Sequence, residues 1–144
     1  MKDFFESHRA ILLATVFTFA VLVTAPGIGN PTGPTSKDEY HRVFRTALTM
    51  MQEDVWLVPF LDGSPRIEKP PLLSWLTRWN FERFGISLLN ARSIVVIFAA
   101  LLLTVVLAIG LELTNDIRYG VTAAAIALSN IGIAIHSRIL LPDI

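Results

Sequence analysis

One uncharged apolar run, residues 93–113, limits the possible folds of this chain more than any other feature. It holds no charged side chain before Glu112. A helix needs about 20 mainly apolar residues to cross the roughly 30 Å hydrocarbon core of a bilayer. Only 17% of the whole chain is charged, which is below the roughly 25% usual in soluble domains. The sequence therefore predicts a transmembrane helix at 93–113.

Two further apolar runs approach spanning length. The later one is rich in alanine and carries Ser129 and Asn130, but its small residues suit the close packing of helices in lipid. We therefore expect an all-α membrane protein with three transmembrane helices. Its predicted parts are a cytoplasmic N-terminus at 1–9, spans at 10–29, 93–113 and 119–141, an extracytoplasmic loop at 30–92 and a cytoplasmic turn at 114–118.

The first apolar run also allows a second interpretation, a cleaved signal peptide. Lys2 and Arg9 precede an apolar core, and residues 23–25 offer a small-residue cleavage site. The acidic Asp3 and Glu6 weaken that interpretation, because the first region of a signal peptide is positively charged. An uncleaved helix is favoured, and both interpretations stay open.

The charges of the chain are concentrated in the polar loop at 30–92. Apolar residues recur there at helical spacing over 37–53 and again over 70–84, which predicts two amphipathic helices. The second contains Trp75 and Trp79, and such helices beside a span tend to lie at the membrane interface. Eight of the twelve basic residues belong to this loop: Lys37, Arg42, Arg45, Arg66, Lys69, Arg78, Arg83 and Arg92.

Two adjacent carboxylates, Asp38 and Glu39, begin the first of these helices. On a helix their side chains point about 100° apart and cannot aim at one atom. In one interpretation Glu39 completes a capping box with Ser36, and Asp38 complements the helix dipole. In the other, one carboxylate is a general base or a metal ligand near the membrane surface.

A second candidate site is the sequence Glu68-Lys69-Pro70-Pro71. Prolines suit the first turn of a helix, so Lys69 would lie beside exposed backbone donors at the positive end of a helix dipole. That position favours an anion, phosphate above all. The alternative is a lysine that snorkels at the interface, with Glu68 beside it by coincidence.

Three spans would place the loop and the residues after 135 on the same side of the membrane. Arg138 and Asp143 could therefore approach the charged groups of the loop. Charges at such positions usually mark a membrane boundary, but ionisable groups at membrane depth are also functional candidates. The positive-inside rule disfavours a basic loop outside the cytoplasm, although it loses force beyond about 60 residues. Either the topology is inverted and the loop lies in the cytoplasm, or the loop lies outside and its basic residues have a ligand.

Composition excludes some classes of function. The chain has no cysteine, which removes a thiolate nucleophile, a disulfide framework and a cysteine-ligated zinc site. Its formal net charge is zero, which gives no support to a nucleic-acid partner. Its histidines, at 8, 41 and 136, lack the spacing of metal ligands.

Taken in order, several motifs of the chain resemble the N-terminal part of polyprenyl-phosphate-dependent glycosyltransferases. This superfamily includes protein O-mannosyltransferases and lipid A aminoarabinose transferases, and the resemblance is nearest to bacterial dolichyl-phosphate-mannose-transferase-like members. It covers roughly residues 35–144. The motifs are Asp38-Glu39-Tyr40, Trp56-Leu57-Val58-Pro59, Glu68-Lys69-Pro70-Pro71-Leu72-Leu73-Ser74-Trp75-Leu76, Phe84-Gly85 and Arg92.

The resemblance implies a multi-spanning helical enzyme of the GT-C type in a bacterial inner membrane, with its site facing outward. It would transfer a sugar from a polyprenyl-phosphate carrier to a hydroxyl of a lipid or protein acceptor. Asp38 matches the acidic residue assigned to catalysis, and Glu39 matches its acidic partner. The remaining implied site residues are Lys69 and Arg138 for the carrier phosphate, Asp143 in a second acidic motif, and Glu68 where some members place a ligand for a divalent metal ion.

The chain also departs from that family pattern. The family has a small residue and glycine before an Asp-Trp pair, whereas this chain has Gln52-Glu53-Asp54-Val55-Trp56. Family members have many more spans and a C-terminal domain, so we expect this chain to be an N-terminal portion that is inactive alone. The competing expectation is a non-catalytic three-span membrane protein whose loop serves assembly or lipid binding.

Overall fold

The computed structural model describes residues 2–33, 36–67 and 69–141, and these are mostly helical. The candidate site residues Glu68 and Asp143 lie outside the described residues. The elements are α1 (Lys2–Thr24), a π-helix (Glu39–Phe44), α2 (Arg45–Gln52), β1 (Phe60–Leu61), β2 (Ser64–Pro65), α3 (Leu72–Phe84), α4 (Leu88–Thr114), α5 (Ile117–Ser129) and α6 (Ile131–His136).

One helix of the described chain, α4, is long and apolar enough to cross a membrane. The apolar helical stretches His8–Thr24 and Ile117–Ser129 are shorter than a typical span. The structure thus supports one candidate membrane helix, and the three-span topology stays a prediction.

The first helix ends before the predicted boundary at Gly29. Its last residue is Thr24, and Ala25 still donates its backbone N–H to Val21 at 2.9 Å. Pro26 then lacks a backbone donor, and Gly27 has a φ of 79°, which favours glycine and cannot continue a right-handed helix.

The predicted third span is two helices rather than one. Asn130 separates α5 from α6 with an extended backbone (φ −68°, ψ 125°), and its side chain accepts a hydrogen bond from the N–H of Gly132. Asparagine competes for backbone donors in this way, which makes it a good N-cap and a poor helix interior residue. A local polar side chain therefore interrupts the run of alanines.

Backbone contacts divide the chain into two compact units. The apolar unit comprises Met1–Pro26 and Val96–Ser137, and the loop unit comprises Gly27–Val95 and Arg138–Ile144. In the apolar unit, Ala20 packs with Ala100 and Leu103. The candidate site residues that the structure describes, Asp38, Glu39, Lys69 and Arg138, belong to the loop unit.

The core of the loop unit lies where the π-helix and α2 pack against α3. The rings of Phe44 and Phe81 are 4.9 Å apart between centroids. Tilted aromatic pairs at this distance add to the free energy gained by burial. The buried members of this core are Val43, Ala47, Phe81, Ala91, Val95 and Leu140.

A tight hairpin joins α2 to α3. Phe60 pairs with Pro65 and Leu61 with Ser64. The two turn residues, Asp62 and Gly63, both have positive φ, 52° and 76°, as a two-residue type I′ turn requires. Arg45 on α2 contacts this turn, since its Nη2 is 2.6 Å from Oδ1 of Asp62.

Two asparagines stabilise the corner between α3 and α4. Asn80 donates from Nδ2 to the carbonyl of Asn90 at 2.5 Å and to Oγ of Ser93 at 2.9 Å. Asn90 in turn donates to the carbonyls of Phe84 and Gly85. These bonds satisfy carbonyl groups that the end of α3 leaves without a helical partner.

Candidate anion-binding site

A buried ion pair between Glu39 and Arg92 lies at the centre of the loop unit. Their side chains are 0% and 1% exposed. Nε of Arg92 donates to Oε1 of Glu39, and Nη2 donates to Oε2, each at 2.6 Å. This is the bidentate geometry that matches a planar guanidinium to a carboxylate.

The same pair connects segments that are distant in sequence. Nη1 of Arg92 donates to the carbonyls of Ile28 at 3.1 Å and Asn30 at 3.4 Å. Oε1 of Glu39 accepts a hydrogen bond from the backbone N–H of Leu140 at 2.9 Å. The C-terminal stretch at Leu140 is therefore hydrogen-bonded to the π-helix of the loop unit.

This geometry overturns one interpretation of Glu39. The carboxylate does not complete a capping box with Ser36, because it points inward to Arg92. The helix start is instead supported by Ser36, whose Oγ accepts a hydrogen bond from the N–H of Asp38 at 3.2 Å. The expected angle between the neighbouring carboxylates is the reason, since one side chain enters the core while the other faces outward.

Asp38 has the opposite environment to Glu39. Its side chain is 51% exposed, and Oδ1 lies 3.0 Å from Nε of Arg42, one helical turn further along. An exposed ion pair of this kind opens readily, because water screens both charges. Asp38 is thus the carboxylate of the two that a ligand can reach.

A small cleft lies at the start of α3, beside these residues. Pro59, Arg66, Lys69, Pro70, Pro71 and Ser74 line it, with Val43 and Leu73 at its base. The first turn of α3 has no side-chain cap, and Trp75 is the residue that bonds back to Pro71, at 2.9 Å. The N–H groups that precede it therefore have no helical acceptor.

A second depression adjoins this cleft and shares Arg66 with it. Its other lining residues are Arg42, Leu61, Ser64 and Pro65. The hairpin positions Arg66, because the N–H of Arg66 donates to the carbonyl of Pro59 at 2.7 Å. Within the described residues Arg66 has no carboxylate partner. We call Arg42, Arg66 and Lys69 together the basic cleft.

Arg78 is a second buried arginine that connects several segments of the loop unit. It is 3% exposed and lies 2.6 Å from Oδ1 of Asp54 and 2.7 Å from Oε1 of Glu82. It also donates to the carbonyls of Met50 and Val55. Its guanidinium carbon stands 4.0 Å from the centroid of the Trp56 ring. The spacing of four residues to Glu82 was the single local signal of this role.

These partners keep the guanidinium of Arg78 in its charged form. Burial alone lowers the pKa of this guanidinium, but the hydrogen bonds and charges of Glu82 and Asp54 outweigh burial and raise it above its ordinary value. Arg78 therefore stays charged, and it fixes the 53–56 turn, in which Asp54 has a φ of 50°, against α3.

The candidate residues within the described chain fall into three groups. Asp38 and Lys69 belong to or adjoin the basic cleft. Glu39 belongs to the buried pair, where Arg92 was a partner that spacing did not reveal. Arg138 is half-buried and lies two positions before Leu140, whose N–H binds Glu39.

The described part of the chain shows no assembled set of ligands for a divalent metal ion, and the expectation of such an ion stays a prediction. Glu39 uses both carboxylate oxygens for Arg92, and Asp38 is paired with Arg42. No group of three or more His, Asp or Glu side chains that could hold a metal occurs among the described residues. The metal ligand expected at Glu68 lies outside that part of the chain.

Comparison with known proteins gives one relative and no family. No known protein family matches the chain, and no solved structure matches it. An uncharacterized protein of Aquifex aeolicus (strain VF5) is 43% identical to it over 60 residues. The match covers 42% of this chain and 14% of that protein, so the relative is several times longer.

Proposed function

We propose that this chain is the N-terminal portion of a membrane glycosyltransferase of the GT-C type that binds a polyprenyl-phosphate sugar in the basic cleft. It would transfer the sugar to a hydroxyl of a lipid or protein acceptor at the outer face of a bacterial inner membrane. The observation that carries the proposal is the cleft at the uncapped start of α3, which combines Arg66, Lys69 and the hydroxyl of Ser74.

Charge and hydrogen bonding at this cleft favour a phosphate ester, both in the donor and in the polyprenyl phosphate that leaves. The positive end of a helix dipole and unpaired backbone N–H groups favour an anion. Arg66 adds a guanidinium, whose donors match phosphate oxygens. The Pro70-Pro71 pair keeps the first turn of the helix free of competing side-chain caps.

The proposed reaction is a displacement at the anomeric carbon of the sugar. Asp38 accepts the proton of the acceptor hydroxyl, whose oxygen forms a bond to the anomeric carbon. The bond from that carbon to the phosphate oxygen breaks, and the electron pair leaves with the polyprenyl phosphate. Arg66 and Lys69 stabilise the charge that develops on this leaving group. Glu39 takes no proton, because it holds Arg92.

Support for placing Asp38 in this role comes from its link to the cleft. Asp38 contacts Arg42 at 3.0 Å, and Arg42 lines the depression that shares Arg66 with the cleft. A base beside a phosphate site is the arrangement that acceptor activation requires. The complete site would need residues that a longer protein supplies, so we expect this portion alone to bind without transferring sugar.

Binding of a short isoprenyl monophosphate, such as farnesyl phosphate, tests the donor site in the detergent-solubilised chain. Arg66→Gln should weaken binding by about 10–100-fold, because one charge-assisted hydrogen bond contributes roughly 1.5–3 kcal/mol. Arg83→Gln is the matched control, since Arg83 is an exposed cation of the same unit that does not line the cleft. Equal loss in both variants would mean nonspecific attraction and would refute the donor site.

Transfer itself is tested in membranes that contain the protein expressed from its complete gene. Asp38→Asn should lower the rate of sugar transfer by about 10²–10⁴-fold, the usual contribution of a general base, with farnesyl phosphate binding retained. Wild-type transfer in this variant would remove Asp38 from the mechanism.

A second candidate function is a non-catalytic membrane protein whose loop binds lipid. The exposed apolar side chains of α3 favour it, since Leu72 and Trp79 are about half exposed (53% and 48%) and could contact lipid without any chemistry. This candidate predicts that Asp38→Asn changes no activity, whereas the glycosyltransferase proposal predicts loss of transfer.

A further inference from the structure

Helix α3 has an unusual distribution of polarity. Its buried side chains are the polar Thr77, Arg78 and Asn80 and the apolar Phe81. Its exposed side chains include Leu72, Trp79 and Phe84, the last at 67%. A helix on the surface of a soluble domain shows the reverse pattern, with apolar residues toward the core and polar residues toward water.

The three buried polar side chains Thr77, Arg78 and Asn80 each have a hydrogen-bond partner inside the loop unit. Thr77 donates its hydroxyl to the carbonyl of Leu73 at 2.7 Å. Asn80 donates to Asn90 and Ser93, and Arg78 has the four partners described above. Thr77, Arg78 and Asn80 are therefore satisfied, whereas the buried Nε1 of Trp75 has no hydrogen-bond partner among the described residues.

The outward face is an apolar stripe. Leu72, Leu76 and Trp79 follow each other at intervals of four and three residues, and Arg83 continues the same line. Phe84 meets Trp79 edge to face at 6.2 Å between ring centroids. Tryptophan at the middle of a stripe with a long cation at its end is typical of a helix at the lipid headgroup boundary.

The stripe is continuous with the candidate membrane helix. Only Gly85, Ile86 and Ser87 separate α3 from α4. Ile86, within this junction, and Leu89, in the first turn of α4, are 56% and 53% exposed. Apolar exposure thus extends from α3 into the one described helix that is long enough to cross a bilayer.

We propose that the stripe Leu72–Leu76–Trp79 of α3 lies in the headgroup and upper acyl region of the bilayer, with Arg83 reaching the lipid phosphates. The basic cleft begins at the N-terminal end of this same helix, so it would open at the level of lipid headgroups. This inference rests on the membrane location within the proposed function but not on sugar transfer or on phosphate binding.

Nitroxide labelling tests the inference directly. The chain contains no cysteine, so each introduced cysteine is the sole labelling site. The full 144-residue chain is reconstituted in vesicles of phosphatidylethanolamine and phosphatidylglycerol. Labels are placed by Leu72→Cys and Trp79→Cys on the stripe, by Leu101→Cys in α4, and by Ser64→Cys on the exposed hairpin as the aqueous control.

Collision of each label with oxygen, which concentrates in lipid, is compared with collision with a water-soluble nickel chelate. We expect the labels at 72 and 79 to favour oxygen severalfold relative to the label at 64. Leu72→Cys is a mild change at a half-exposed position, so it answers the question if Trp79→Cys perturbs folding.

The other outcomes distinguish a wrong position for the stripe from a wrong membrane location of the whole chain. If the labels at 72 and 79 favour the nickel chelate while the label at 101 favours oxygen, the inference fails and the membrane location stands. If the labels on the stripe are shielded from both agents, protein covers the stripe and the inference is again wrong. If the label at 101 also favours the nickel chelate, the membrane location itself is refuted, and the inference falls with it.

Discussion

Asp38 and Glu39 are chemically similar neighbours that the fold treats in opposite ways. The carboxylate of Glu39 is wholly buried against Arg92, whereas that of Asp38 is half exposed beside Arg42. A buried charge that loses its partner costs several kcal/mol, but an exposed pair contributes about 0–1 kcal/mol. One of two adjacent acidic residues can therefore stabilise the fold of a loop, while the carboxylate of the other remains accessible to a ligand.

The largest expected effect comes from breaking the buried pair. Glu39→Ala should lower the free energy of unfolding of the loop unit by about 3–5 kcal/mol, because the buried Arg92 loses the carboxylate that binds it bidentately. Unfolding in detergent, followed by circular dichroism, measures this loss. Glu53→Ala, at an exposed glutamate of the same unit, is the control and should change the stability by under about 0.5 kcal/mol.

Replacing both partners sharpens the same comparison. The double variant Glu39→Leu with Arg92→Met removes both charges from the interior. It should be more stable than Glu39→Ala alone, because apolar replacement of a whole buried pair is often neutral or stabilising. A double variant less stable than the single variant would indicate that the hydrogen bonds to Ile28, Asn30 and Leu140 outweigh charge burial.

A smaller effect is expected at the other buried arginine. Arg78→Lys keeps the charge but cannot reach Asp54, Glu82 and two carbonyl groups at once, so it should cost about 1–3 kcal/mol. The raised pKa of Arg78 means that its contribution is present at every pH below the ordinary arginine value and is lost only above it. The loss in Arg78→Lys should therefore not depend on the ionisation of this residue near neutral pH. Arg83→Lys on the same helix serves as the control, and equal stability of the two variants would contradict the account.

The smallest effect on stability is expected at the exposed carboxylate. Asp38→Asn should change the free energy of unfolding by no more than about 1 kcal/mol, since its ion pair with Arg42 is open to water. The same thermal or denaturant scan measures it beside Glu39→Ala. A loss as large as that of Glu39→Ala would mean that Asp38 is structural as well.

Local signals in the sequence predicted the elements of the loop well. The structure has helix from residue 37 to Gln52 and from Leu72 to Phe84, close to the predicted 37–53 and 70–84. The prolines before α3 and Gly85 after it, with a φ of 89°, are short-range signals that act through the backbone alone. The two short strands beside the Asp62-Gly63 turn add a hairpin to a chain expected to be all helical.

Long-range partners could not be predicted in this way. Glu39 and Arg92 are 53 positions apart, and nothing in the spacing of either residue indicates that they meet. The capping box predicted for Glu39 was wrong because its carboxylate accepts hydrogen bonds from the distant guanidinium of Arg92 and not from the backbone N–H of Ser36. The break at Asn130 was missed although its signal is local. The polar side chain was noted, but we did not expect it to cap α6 within an apolar run.

Chemical labelling of carboxylates tests the division between Asp38 and Glu39 most directly. The folded chain is treated with a water-soluble carbodiimide and glycinamide, and fragment mass spectra resolve modification at each of the two adjacent residues. Our account predicts that Asp38 is modified at the rate of an exposed carboxylate, while Glu39 stays unmodified until the chain unfolds. Modification of Glu39 in the folded chain at a rate similar to that of Asp38 would contradict the buried pair, and with it the assignment of different roles to the two carboxylates.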